Sequence, residues 1–180
     1  MNLYTPNQLA DSMRVVRKNT LAIAEDVPEE QYEYRPSPDS RSVRETLLHM
    51  VSRTFFDFHI HEEQRRTSME GFDFQAFFAG LRINEKAAIS KAEILTLLRD
   101  EGERWCGWVE KLPEARAAEI VTLGGVGQAG KSRFEMLIGS KEHEMHHRAQ
   151  LMVIERMLGI VPHLTRNRQR PTETAQKSTA

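Results

Sequence analysis

The residues best suited to chemistry lie in Lys141-Glu-His-Glu-Met-His-His-Arg-Ala-Gln150. His143 and His147 are four positions apart, so on an α-helix they project about 40° from one another on one face. That spacing lets two imidazoles reach a single metal ion. Their stripe also carries Met136, Ser140, Gln150, Leu151, Ile154 and Leu158, the side of a helix expected to face a core. Imidazoles turned toward a core need partners. A metal ion is one solution, and ordinary hydrogen bonds at the core edge are the other.

Two further motifs compete for this region. His143-Glu-Met-His-His147 contains the His-Glu-x-x-His pattern, in which Glu144 would be the general base of a metallohydrolase. That reading needs a ligand downstream, where only Glu155 and His163 offer themselves. Glu144 shares a face with Lys141, Arg148 and Glu155, which reads as a solvated face. Upstream, Gly125-Val-Gly-Gln-Ala-Gly-Lys-Ser132 matches a phosphate-binding loop, with Ile120 to Leu123 as a short strand before it. A nucleotide site of that kind needs a parallel sheet and a later strand bearing a magnesium ligand, and the chain offers neither. A glycine loop running into Ser132 as a helix cap, with Lys131 unengaged, accounts for the same residues.

The other histidines are His49, His59, His61, His146 and His163. His49, in Thr46-Leu-Leu-His-Met-Val51, has apolar neighbours. In an antiparallel bundle it can meet the pair from the last long helix, giving three histidines with positions open to water or substrate. His59 and His61 are expected to cap or leave their helix, and His146 to point to the surface or an interface. Arg53, one turn beyond His49, reads either as a surface ion pair or as an anchor for an anionic thiol. Cys106 reads as a small buried hydrophobe.

Helices must position these groups. Thr5-Pro6 opens a helix carrying Leu9, Met13, Val16, Thr20 and Ile23, expected to end near Glu25. Ser40 or Ser42 caps a second, with Val43, Leu47, Leu48, Val51, Phe55 and Phe58, reaching about Gln64. Residues 65–80 form a Phe-rich loop with one short helix. Ser90 caps a third helix ending before Pro113, and a fourth runs from Ser132 to Leu158, stopped by Gly159 and Pro162. The predicted class is all-α: a four-helix bundle over residues 1–164 with a short helical insertion, then a disordered polar tail over 165–180.

Composition narrows the function classes. The 180 residues include 25 Lys+Arg against 26 Asp+Glu, a net charge of −1 that gives no footprint for nucleic acid or an anionic membrane. One cysteine excludes an internal disulfide, and the first residues have no signal-peptide pattern, so the expected compartment is the cytoplasm. No apolar run approaches a membrane span.

Taken in order, five segments resemble the DinB/YfiT-like family. They are Arg17-Lys-Asn-Thr-Leu-Ala-Ile-Ala-Glu-Asp-Val-Pro-Glu-Glu-Gln-Tyr32, Tyr34-Arg-Pro36, Arg41-Ser-Val-Arg-Glu-Thr-Leu-Leu-His49, His143-Glu-Met-His-His147-Arg-Ala-Gln-Leu151 and Leu158-Gly-Ile-Val-Pro162. The resemblance covers about residues 1 to 164; Ala149 departs from a position where the family often has glycine. It implies a DinB-like four-helix bundle, commonly a homodimer, whose divalent metal is held by His49, His143 and His147. It also implies zinc or nickel, and a kinship with thiol S-transferases that use bacillithiol, mycothiol or glutathione-like cofactors. The apolar Phe72, Phe74, Phe77 and Phe78 suggest surface that a dimer would cover. Two classes stay open: a metal-dependent transferase or hydrolase acting on a small molecule, and a non-catalytic bundle whose metal is structural.

Overall fold

The computed structural model describes residues 4–124 and 129–169. Four long helices dominate: α1 (Pro6–Asp26), α2 (Val43–Phe58), α4 (Lys91–Glu110) and α6 (Arg133–Met157). Each begins with the same device. Thr5, Ser42, Ser90 and Ser132 accept from the backbone N–H three residues on, and Gln8, Glu45, Glu93 and Glu135 reach back to the cap residue's own N–H. These reciprocal bonds satisfy two of the four donors a helix start leaves open. Of the two serines considered for the second helix, Ser42 is the cap.

The bundle forms because each helix presents an apolar stripe. α1 packs against α4 and α6, and α2 against the same two helices, so α1 and α2 stand at opposite corners. One core joins Ile23, Leu47, Leu48, Val51, Ile94, Leu98, Leu151 and Ile154; a second joins Leu9, Met13, Trp105, Val109 and Leu137. Between them lies a polar layer. Arg17, from α1, donates to both Glu144 oxygens on α6 (2.7 and 2.8 Å) and to the Leu98 carbonyl on α4 (2.6 Å). Thr20 also donates to Glu144 at 2.8 Å. The solvated face expected around Glu144 is therefore wrong: the side chain is 2 % exposed and its charge is paired inside the bundle. Gly102 belongs to this layer, since a β-carbon there would come within 2.9 Å of the Arg17 Cγ.

The shorter elements decorate one end. α2 runs into a π-helical turn (His59–Glu63), and α3 (Phe74–Gly80) is the short helix expected between residues 65 and 80. After α5 (Glu114–Ala117), β1 (Ile120–Val121) pairs antiparallel with β2 (Lys131–Ser132), and a single bridge joins Ser68 to Thr122. A β-carbon on Gly130 would collide with Ile120, so the hairpin itself requires that glycine. Ser132 caps α6, and a parallel sheet around the phosphate-loop pattern is absent among the described residues; Gly125 to Gln128 of that pattern lie outside them. The chain also departs from the expected tail: α7 (His163–Gln169) begins before Thr165 and continues past it, docked on α1 through Arg166 and Asp26 at 2.6 Å. Residues 170–180 of that expectation lie outside the described ones. No helix among the described residues is long and apolar enough to cross a membrane.

Candidate metal centre

α6 places His143 and His147 one turn apart, and α2, packed on it, brings His49 against them. Their Nε2 atoms converge: His49 to His143 at 2.8 Å and His147 to His143 at 3.1 Å. Ligand atoms of all three lie within 4.8 Å of one another, and they form the one such cluster of three or more His, Cys, Asp or Glu groups found among the described residues.

The outer nitrogens fix the tautomers. His49 Nδ1 is 2.5 Å from Glu85 Oε1, and a carboxylate only accepts, so Nδ1 carries the proton and Nε2 presents a lone pair. His147 Nδ1 faces Gln150 Oε1 at 2.8 Å, while the Gln150 amide nitrogen lies 3.1 Å from His146 Nε2. The amide oxygen is thus turned toward His147, whose Nε2 also presents a lone pair. His143 Nε2 lies between them, and its single ring proton cannot serve both neighbours. Its Nδ1 is buried with no hydrogen-bond partner. Burial, reinforced by His147 and His49, pushes His143 down to about 3; burial also lowers His147, against the hydrogen bond to Gln150. Converging neutral imidazoles with proton-bearing nitrogens tied behind them are the donor set a divalent ion takes. The residues fit such an ion.

Glu85 was not legible as part of this centre. It stands on the connection between α3 and α4, far from the histidines in sequence, and also takes two bonds from Arg41 (2.7 and 3.2 Å). Burial opposes its charge, but His49 and Arg41 outweigh that and hold the carboxyl down at about 2. An open cavity of about 720 Å³ borders Arg41, Glu85, Gln150, Thr46 and Ile154. A smaller one of about 330 Å³ borders Ser52, Phe78, Asn84 and Glu85.

The other candidates separate from the centre. Glu144 is spent on Arg17 and Thr20, which leaves the His-Glu-x-x-His pattern without its base. Glu155 and His163 are both buried but do not join the cluster. His61 does not leave its helix for solvent: it is fully buried, its Nδ1 accepting from Arg133 at 2.8 Å, and burial beside Arg133 holds it at about 3. His59 stacks on Phe77 and pairs with Glu63. His146 is exposed, as its angular position predicts, and Cys106 is buried, with its thiol pushed up to about 12 by burial. Arg53 is half-buried between α2 and α6, with its Nε 2.9 Å from Ser140 Oγ and 3.3 Å from Asp57 Oδ1.

A four-helix bundle with three convergent imidazoles defines a class of helical protein with the donors for one metal ion. The chain belongs to the DinB superfamily, whose family model matches residues 12–151. Its fold is similar to that of the DinB-like protein YjoA from Bacillus subtilis, with a TM-score of 0.64 and 20% identity over 84% of this chain and 92% of that one. It is also similar to YfiT from Bacillus subtilis, with a TM-score of 0.66 and 16% identity over 86% of this chain and 88% of that one. YfiT is described as a probable metal-dependent hydrolase with an unusual four-helix bundle topology. No curated protein matches the chain.

Proposed function

We propose that His49, His143 and His147 hold a divalent metal ion, zinc or nickel, and that the site serves thiol transfer or hydrolysis on a small molecule. The convergence of their Nε2 atoms carries this reading, because two of the three imidazoles are locked in the tautomer that offers a lone pair to the same point. A bound ion there supplies Lewis acidity, lowering the pKa of a thiol or water beside it toward neutrality. Around it, Glu85 and Gln150 fix the ring orientations, and Arg41 holds Glu85. No fourth His, Cys, Asp or Glu joins the cluster among the described residues. Structural zinc sites are closed by four protein ligands, so an incomplete set favours an enzyme over a metal-braced scaffold. The description of YfiT as a probable metal-dependent hydrolase supports the same direction. The single buried thiol fits a cytoplasmic protein, and a homodimer is part of the proposal.

Zinc and nickel titration of the purified chain tests it. Replacing His49, His143 or His147 by alanine is expected to weaken binding by roughly a hundredfold or more, since each removes a ligand. His146→Ala is expected to leave it nearly unchanged. A His49→Ala protein binding metal as tightly as the parent overturns the three-histidine site. A screen of the loaded protein with low-molecular-weight thiols and ester substrates then separates transfer from hydrolysis.

A further inference from the structure

Arg53 is built into the wall of the centre in an unusual way. It follows His49 by one turn of α2, which places their β-carbons about 6 Å apart on one face. Only the inner edge of its guanidinium is engaged: Nε donates to Ser140 Oγ and faces the Asp57 carboxylate. Asp57 is fully buried and further held by the Trp105 indole N–H at 2.8 Å. The Cζ lies 4.8 Å over the ring of Phe56, itself surrounded by Phe72, Phe74, Phe77 and Phe78. Among the described residues, neither Nη1 nor Nη2 has a hydrogen-bond partner, and the side chain remains 26% exposed. Its charge acts on His143, after burial and the two neighbouring histidines. A buried acid thus aims a guanidinium whose free edge and charge remain available beside three imidazoles.

We propose that Arg53 is the anion-recognition residue of this site, taking the carboxylate of a small thiol whose sulfur reaches the point where the three Nε2 atoms converge. The inference rests on the metal reading above and names the ligand class for it. One guanidinium edge offers two parallel N–H groups, the match for a carboxylate's two oxygens. Asp57 and Glu85 nearby disfavour a dianion such as phosphate. The short separation of Arg53 from His49 selects a carboxylate only two or three bonds from the sulfur.

The test uses the full chain loaded with Co²⁺ and reads the cobalt–thiolate absorption band during titration with 3-mercaptopropionate or the uncharged 2-mercaptoethanol. Because Arg53→Gln alone strands Asp57, the double variant Arg53→Gln, Asp57→Asn accompanies it, with Arg53→Lys as the charge-only control. The parent is expected to bind 3-mercaptopropionate at least about tenfold more tightly than 2-mercaptoethanol. Both Gln variants should lose that preference while 2-mercaptoethanol and Co²⁺ affinities stay within about twofold, and Arg53→Lys should retain part of it. A parent without preference, or a Gln variant that weakens both thiols equally, overturns the proposal. Failure of the parent to bind Co²⁺ instead rejects the metal reading. The subsite is then read on the metal-free chain by the Trp105 indole N–H resonance under propionate: a saturable shift lost in Arg53→Gln supports it, and no shift in the parent overturns it.

Discussion

Glu155 is fully buried, and neither of its oxygens has a hydrogen-bond partner. Burial, with Asp26 nearby, raises its carboxyl to about 7, against the pull of Arg166 and Arg156. A raised carboxyl binds its proton more tightly in the folded chain than in the unfolded one. Its contribution is therefore fully present below the unfolded value of 4.5 and is lost as pH rises through about 7. Glu155→Gln is expected to raise the melting temperature at pH 8 by several degrees, an advantage that shrinks toward pH 5; thermal melts across that range check it. Glu85 should act in the opposite sense on the metal. Glu85→Ala is expected to weaken zinc binding by about ten- to a hundredfold, and Glu85→Gln by less, because the amide oxygen still accepts from His49. Equal zinc affinity in all three proteins would separate Glu85 from the centre. His49, His143 and His147 were readable from spacing and resemblance because helix geometry alone brings two of them together. Glu85 was not, since no local pattern ties a loop carboxylate to a histidine 36 positions earlier. Asp57, at i+4 from Arg53, was within reach of the helical pairing rule.

Among the elements, the four long helices were legible because each announces its start with Ser or Thr and a Gln or Glu three residues later. The π-helical turn at His59–Glu63 has no comparable signal. Helix α6 was read correctly in extent but wrongly on one face, since the partner that draws Glu144 inward is Arg17, 127 positions earlier. That ion pair pins α1 to α6 and, through the Leu98 carbonyl, to α4. Glu144→Ala leaves Arg17 charged and buried and is expected to cost about 3–5 kcal/mol in urea denaturation. Zinc binding at low temperature should survive, because Glu144 faces away from the three imidazoles. Gly102→Leu should also destabilise, since its side chain would meet Arg17.

For the whole molecule, the homodimer was expected partly from Phe72, Phe74, Phe77 and Phe78. The structure gathers these rings around Phe56, and of the four only Phe74 remains exposed. The apolar surface left over lies on α6 and just beyond: Met145, Val153, Met157 and Val161 are 41, 57, 53 and 48% exposed. The three on α6 recur every four or eight positions along one side. A dimer formed there is expected to give way to monomer in Val153→Glu, read by light scattering at micromolar concentration. A parent that is already monomeric counts against the assembly. The segment between α2 and α4, meanwhile, has two separate duties. It carries Glu85 to the back of His49 and wraps its phenylalanines around Phe56, beneath the Arg53 guanidinium. The bundle helices supply the imidazoles, while this one connection sets both how firmly a ligand ring is oriented and what wall stands beside it. Evolution can therefore retune selectivity by exchanging a loop, and a graft of residues 65–89 between relatives should transfer ligand preference without rebuilding the bundle.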